Sequence, residues 1–195
     1  MIDTSHIYIA LLHHPVYNKS GEVVTTAITN LDLHDIARTA RTYALGGYFV
    51  VNPMPAQREL AGRILSHWIT GFGAEYNPNR GEALSVIRVV TGLEEVKAEV
   101  ERLHGVRPRL VATAARGGKG GKGDKEAVGY ARMREVLAGG GPSVILFGTG
   151  WGLTEEFIAG CDYLLEPIQG LSGYNHLPVR AAAAIILDRL LGDRA

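Results

Sequence analysis

The sequence has a single cysteine, Cys161, set in an apolar run. No internal disulfide can form, which suits a reducing compartment such as the cytoplasm. It has no excess of charge, since 20 Lys+Arg offset 20 Asp+Glu. No global field therefore draws the chain toward nucleic acid or an anionic membrane, and any basic surface must be local. Long hydrophobic runs are missing too: no stretch approaches the roughly 20 apolar residues that span a bilayer, and the apolar run 181–187 ends at Asp188 and Arg189. The opening MIDTSHIYIALLHH lacks a basic leader and reads as a strand, not a signal peptide. The seven histidines form no HxxH or HExxH pattern, so no metal site is expected.

What is present is apolar bulk and glycine. Hydrophobic residues make up 46% of 195, enough for one domain over 1–195 with its own core. Strand-like runs fall at 6–12, 48–51, 85–90, 109–114, 143–148 and 163–168. Helical spacing falls at 31–45, 57–69, 92–103, 127–137 and 178–191, with a brief helix at 154–159. Asn30 or Asp32 is placed to cap the first helix, and Gly46-Gly47 to stop it. Residues 71–81, rich in Gly and Asn, read as a loop. Each strand is a continuous apolar run, not an alternating one. The expected fold is therefore α/β, a mostly parallel sheet covered by helices on both faces. Ligands of such sheets sit at the carboxyl ends of the strands.

Three glycine-bearing loops lie at such ends. In GGKGGKG (117–123), three residues separate Gly117 from Gly121-Lys122 where a Walker loop needs four, and Gly123 replaces the metal-binding hydroxyl. The stretch is either a mobile surface loop or a basic arm whose Arg116, Lys119, Lys122 and Lys125 reach for phosphates. In LFGTGWGLTEE (146–156), the third glycine of a dinucleotide fingerprint would fall at Leu153, and the following helix is too short for a Rossmann crossover. An NAD enzyme is disfavoured. Gly148, Gly150 and Gly152 instead let main-chain groups approach a flat ligand. Glu155 and Glu156 suit the first turn of a helix capped by Thr154. The third loop, in EPIQGLSGYNHLPVRAAAAI (166–185), leads through Pro178 into a helix kept thin by Ala181–Ala184. Arg180 opposes that helix's dipole, so it either has an anionic partner such as Glu166 or a ligand, or is a plain surface arginine.

ILFGTGWGL (145–153), EPIQGLSGYNHLPVRAAAAI and DLHDIARTARTYA (32–44) together resemble the motifs of the SPOUT, or alpha/beta-knot, methyltransferases. The patterns are a strand ending in an FGxExxGL-like loop, a strand-loop-helix like IPMxGxxxSLNVSxAxAI, and a helix like NxGxxxRTAxAFG. Most of the chain is covered. The resemblance implies a C-terminal trefoil knot, and a slim alanine helix suits such tucking; knots are otherwise very rare. It implies S-adenosylmethionine (SAM) held bent by main-chain groups at Phe147, Gly148, Thr149 and Gly150, at Ile168 and Gly170, and at Leu177. It also implies a homodimer acting on tRNA or rRNA, with base or ribose methylation open. The chain departs from the family at Asp32 or His34, at Gly150 and at Pro178, where the motifs carry polar or small residues that position substrate.

Arg38 stands at the motif arginine and is the expected catalytic residue. It orients an RNA phosphate or helps activate the acceptor, or else pairs with Asp35 or Asp32 on its own helix. Arg41, one turn along, shares either role. With Arg116, Lys119, Lys122 and Arg180 it completes the expected RNA contacts. Trp151 and Tyr174 can stack on a base or on adenine, Trp151 alternatively capping the core; His13, His14 and His176 either line the site or, the favoured reading, are satisfied turn or core histidines. The competing expectation is a dimeric module that binds SAM or a nucleotide without catalysis.

Overall fold

The structure, a computed structural model, describes residues 2–115, 125–172 and 174–193. In chain order the elements are β1 (Ile7–Leu12), β2 (Val16–Tyr17), β3 (Val23–Val24), α1 (Asn30–Thr42), β4 (Gly47–Val51), α2 (Pro55–Ile69), α3 (Phe72–Tyr76) and α4 (Pro78–Leu84). There follow β5 (Ile87–Val90), α5 (Leu93–His104), β6 (Arg109–Ala112), β7 (Ala127–Val128), α6 (Tyr130–Ala138), β8 (Ser143–Gly148), α7 (Glu155–Ala159), β9 (Tyr163–Leu165) and α8 (Val179–Leu191).

Seven strands form one sheet in the order β5-β4-β1-β8-β6-β9-β7, and every pairing in it is parallel. The chain first winds outward from β1 through β4 to β5. It then returns to lay down β6 and β7 on the far side. Only afterwards does β8 fill the slot between β1 and β6, and β9 the slot between β6 and β7.

The continuous apolar runs have the physical cause expected of them. Alternate residues of each strand enter different cores. Ile7, Ile9, Leu11, Ile145 and Phe147 face one side, where they meet α1, α6 and α8 through Ile36, Ala37, Met133, Ala183 and Leu187. Tyr8, Ala10, Leu12, Val144 and Leu146 face the other, where Val96 and Val100 of α5 and Phe157 and Ile158 near α7 cover them. Helices on both faces are thus observed. No helix among the described residues is long and apolar enough to cross a membrane.

Local details correct the sequence reading in several places. Residues 71–81 are not a loop: α3 occupies part of them, and Asn77 caps α4 by accepting the Arg80 amide, with Pro78 in the first turn. Thr29, not Asn30 or Asp32, caps α1 by accepting from the Asp32 amide. Residues 127–128 pair as a strand, and the helix expected from 127 starts at Tyr130. The last strand stops at Leu165, three residues short of its expected end. Thr154 caps α7 as expected. The hairpin β2–β3 was not foreseen, although VYNKSGEVV carries its turn signal: Asn18 accepts the Ser20 and Glu22 amides, and Gly21 has φ +78°.

Cys161 is buried, and burial pushes its thiol up to about 11. At pH 8 only roughly one thiol in a thousand is then the reactive thiolate. Alkylation of the native protein is expected to be far slower than that of the urea-unfolded chain. Equal rates would show that Cys161 is not held in the core.

Candidate active site

The carboxyl edge of the sheet brings together the ends of β1, β8 and β9, at Leu12, Gly148 and Leu165. The loop after β8 turns back at once. Thr149 donates its amide to Leu12 O at 3.2 Å, and Gly152 N donates to Thr149 O at 3.0 Å. A Cβ on Gly148 would stand 2.7 Å from the Leu153 nitrogen, so only glycine fits there. Gly150 (φ +58°) and Gly152 (φ +100°) lie in the left-handed region. A Cβ on Gly150 would also come 2.8 Å from Tyr17 O.

That last contact comes from the β2–β3 hairpin, which clamps the loop. Tyr17 N donates to Gly152 O, and Trp151 N donates to Tyr17 O, both at 2.9 Å. Val16 bridges Leu153 in antiparallel fashion. Thr26 hydrogen-bonds Thr149 through their hydroxyls, and Thr26 N donates to His13 O at 2.9 Å. Much of the loop's main chain is thus used to hold its own shape.

The loops after β9 contrast with it. Glu166 N closes the strand by donating to Val128 O. Beyond it, among the described residues, the backbone of 167–172 and 174–177 makes one hydrogen bond, from Tyr174 N to Ser172 Oγ at 3.3 Å. One side-chain tie holds this region: Asn175 Nδ2 donates to Ala115 O at 2.6 Å. Main-chain donors and acceptors in quantity need partners from solvent or ligand.

The expected site residues that fall within the described residues have definite places. Phe147 is buried in the core, and its side chain takes no part in the edge. Thr149 and Gly150 lie in the clamped loop, while Ile168 packs partly against the core and Gly170 is exposed. Leu177 is also exposed. Glu166 does not pair with Arg180. Its carboxylate accepts the Tyr130 amide at 3.1 Å and so caps α6 from a distant strand. Arg180 instead reaches Asp35 of α1 at 3.3 Å. One turn pair further on, Tyr43 donates to Asp188 at 3.0 Å, so α1 and α8 run side by side in parallel.

These contacts decide the surroundings of Arg38. Asp35 is taken by Arg180, and Asp32 accepts the Thr29 hydroxyl at 2.7 Å. Arg38 is exposed and has no ion pair among the described residues. Arg41 is held by Glu82 of α4, with Nε at 3.0 Å. Arg116, Lys119 and Lys122 lie outside the described residues. His14 is exposed; its Nδ1 is 3.2 Å from the Thr25 hydroxyl.

A family model described as SAM-dependent RNA methyltransferase matches residues 6–192. The chain belongs to the SAM-dependent RNA methyltransferase family. Over 188 residues it is 45% identical to a tRNA (guanine-N(1)-)-methyltransferase of Oleidesulfovibrio alaskensis, an alignment covering 96% of this chain and 42% of that protein. The chain therefore spans less than half the length of that relative. A methylase family protein from Neisseria gonorrhoeae superposes with a TM-score of 0.62 at 17% identity, over 97% of this chain and 83% of that one. An AdoMet-bound rRNA methyltransferase from Sinorhizobium meliloti superposes with a TM-score of 0.57 at 17% identity, over 97% and 56%. The expectation of a SAM-dependent RNA methyltransferase is therefore met in sequence, and that of an α/β fold in structure.

Members of this family depend on SAM. The donor set suits it: main-chain groups at 167–172 and 174–177 without partners among the described residues can bind the polar atoms of adenine, ribose and a carboxylate. The clamped glycine loop beside them supplies a fixed wall.

His13 lies at the same edge with no solvent exposure. Its Nδ1–H donates to Val51 O at 3.2 Å, and Nε2 has no partner among the described residues. Burial holds its pKa below the ordinary 6.5, and the charge of Asp32 opposes that only in part. The folded protein thus refuses a proton that the unfolded chain accepts. Stability is expected to fall as pH drops below about 6.5, by up to about 1.4 kcal/mol per pH unit. Urea melts from pH 7 to 5 check this, and His13→Gln should flatten the fall. An unchanged slope in the variant would show that His13 is not its source.

Proposed function

We propose that this chain transfers the methyl group of SAM to RNA, with tRNA as the RNA class. The observation that carries the reading is the run of main-chain groups at 167–172 and 174–177 without partners among the described residues, beside a glycine loop already locked in shape. Family membership supports the cofactor and the reaction. The name of the Oleidesulfovibrio relative supports tRNA. The guanine-N1 position in that name belongs to a protein more than twice as long, so the assay below reads the nucleoside directly.

SAM supplies an electrophilic methyl on a sulfonium, ready for in-line displacement. The chain's own residues then have to hold and orient. The residues around Gly148–Gly150, Ile168–Gly170 and Leu177 would bind the cofactor, mostly through backbone. Arg38 is the basic residue near the acceptor. It sits one turn beyond Asp35, whose partner Arg180 opens α8 just after Leu177. A guanidinium stays protonated at neutral pH, so Arg38 does not act as a base. It would hold an RNA phosphate or stabilise negative charge on the acceptor. Arg41 and Arg180 have protein partners in this chain and would give secondary contacts. Arg116, Lys119 and Lys122 belong to the stretch that follows Ala115, which Asn175 ties to the third loop. We place phosphate contacts there as well.

The order in which β8 and β9 enter the sheet, and the alanines of α8, support the trefoil knot as part of this proposal. A homodimer completes it, as do residence in the cytoplasm and independence of metal. The non-catalytic SAM-binding module gains no support from the family match.

The test is transfer from methyl-labelled SAM to bulk tRNA and rRNA, followed by nucleoside mass spectrometry. Methylated nucleoside is expected from tRNA. Arg38→Ala should lower kcat/KM by roughly 10²–10³, as loss of a charge-stabilising donor does, while SAM affinity stays within about threefold. Full activity in the variant would remove Arg38 from the mechanism. SAM binding without transfer to any RNA would overturn the enzymatic reading.

A further inference from the structure

Two of the three edge loops carry an aromatic feature that cofactor binding does not explain. Trp151, in the glycine loop after β8, is 59% exposed, and Tyr174, in the last loop, is 72% exposed. His176 stands between them. Its ring centroid is 6.2 Å from that of Trp151 and 5.3 Å from that of Tyr174, with interplanar angles of 71° and 65°. The contacts are edge to face, so neighbouring rings do not cover one another as a stack would. Large aromatic faces are left to solvent.

Such a cluster is unfavourable for the chain alone, since exposed aromatic surface gains nothing from folding. No atom lies within 4 Å of a Cβ placed on Gly152, next to Trp151. Yet the two flanks are well held. Trp151 N is pinned to Tyr17 O at 2.9 Å, and Asn175, between Tyr174 and His176, donates to Ala115 O at 2.6 Å. The Trp151 ring is thus exposed on anchored backbone, and the Tyr174–His176 pair is tethered through the Asn175 side chain.

We propose that Trp151, His176 and Tyr174 form a stacking platform that receives an unstacked base of the substrate RNA beside the methyl donor. The inference rests on RNA methyl transfer as proposed above. Proteins hold unpaired RNA bases by stacking them on aromatic side chains, and every base has a π-face for this. Chemistry on a base requires the base to leave its stack, which calls for a new surface at the reacting end. The platform is continuous with the candidate cofactor loops, because its members sit in those loops. Its exposed position suits a macromolecule arriving from solvent. SAM adenine is the competing occupant, and the free main-chain groups deeper in the edge already suit it.

The experiment uses the full chain and three readouts: binding of bulk tRNA and of a mixed-sequence single-stranded RNA oligonucleotide, binding of S-adenosylhomocysteine, and intrinsic tryptophan fluorescence. Trp151→Ala and Tyr174→Ala should each weaken RNA binding by about tenfold. Affinity for S-adenosylhomocysteine should stay within about threefold. Trp151→Phe should restore most of the RNA affinity, which a merely structural role for the indole would not predict. RNA should quench wild-type fluorescence, and the quench should vanish in Trp151→Phe. All the positions are exposed, and circular dichroism checks that the variants fold. Unchanged RNA binding in both alanine variants, with wild type binding RNA, overturns the platform alone. Loss of S-adenosylhomocysteine affinity with RNA binding kept assigns the rings to adenine and also overturns it. No RNA binding by wild type overturns both this inference and the function it rests on.

Discussion

The late entry of β8 between β1 and β6 is the constraint on which the rest depends. Six residues of β8 pair with β1, and four pair with β6. A strand bonded on both sides and buried on both faces cannot shift by one residue without moving its whole side-chain set to the wrong core. Ile145 and Phe147 must meet one helical layer, and Val144 and Leu146 the other. Register in turn fixes where Gly148 leaves the sheet. The glycine loop therefore emerges at the centre of the carboxyl edge, beside the end of β1. Without that slot neither the hairpin clamp nor the neighbouring loops would have a fixed point to build on.

From this point the edge divides its work. The loop after β8 spends its main-chain groups on its own turn and on Tyr17, so it is a rigid wall. The loops after β9 make few main-chain hydrogen bonds among the described residues. The helices behind them settle the charges. Because Arg180 claims Asp35, and Thr29 claims Asp32, Arg38 keeps an exposed guanidinium. A surface ion pair such as Arg180–Asp35 adds little to stability. Its consequence here is selective: it leaves Arg38 with no ion pair among the described residues.

Much of this was legible in the sequence. Continuous apolar strands announced a parallel sheet covered on both faces, and three motif stretches pointed to the family and to the loops of the site. What escaped was of two kinds. Some signals were present and unread. The NKSG turn between VY and VV marks a hairpin, and Asn77-Pro78 is a helix start within a stretch whose glycines suggested a loop. Others were not in the sequence at any local scale. Thr29 outcompetes Asn30 and Asp32 as a cap through geometry. Glu166 finds the amide end of α6, 36 residues earlier, and Arg180 finds Asp35 because α1 and α8 lie parallel. Such pairings follow from topology, which a motif alone does not specify.

The central claim is that the cofactor lies on the carboxyl edge, gripped by main chain. Amide-resolved NMR titration with S-adenosylhomocysteine tests it most directly. The account predicts saturable shifts concentrated in 167–172 and 174–177, with smaller ones in 148–152, and little change at the opposite end of the sheet. Shifts centred elsewhere, such as the groove lined by Leu60, Ile64 and Trp68 between α1 and α2, would contradict it. So would an absence of saturable change in a folded protein.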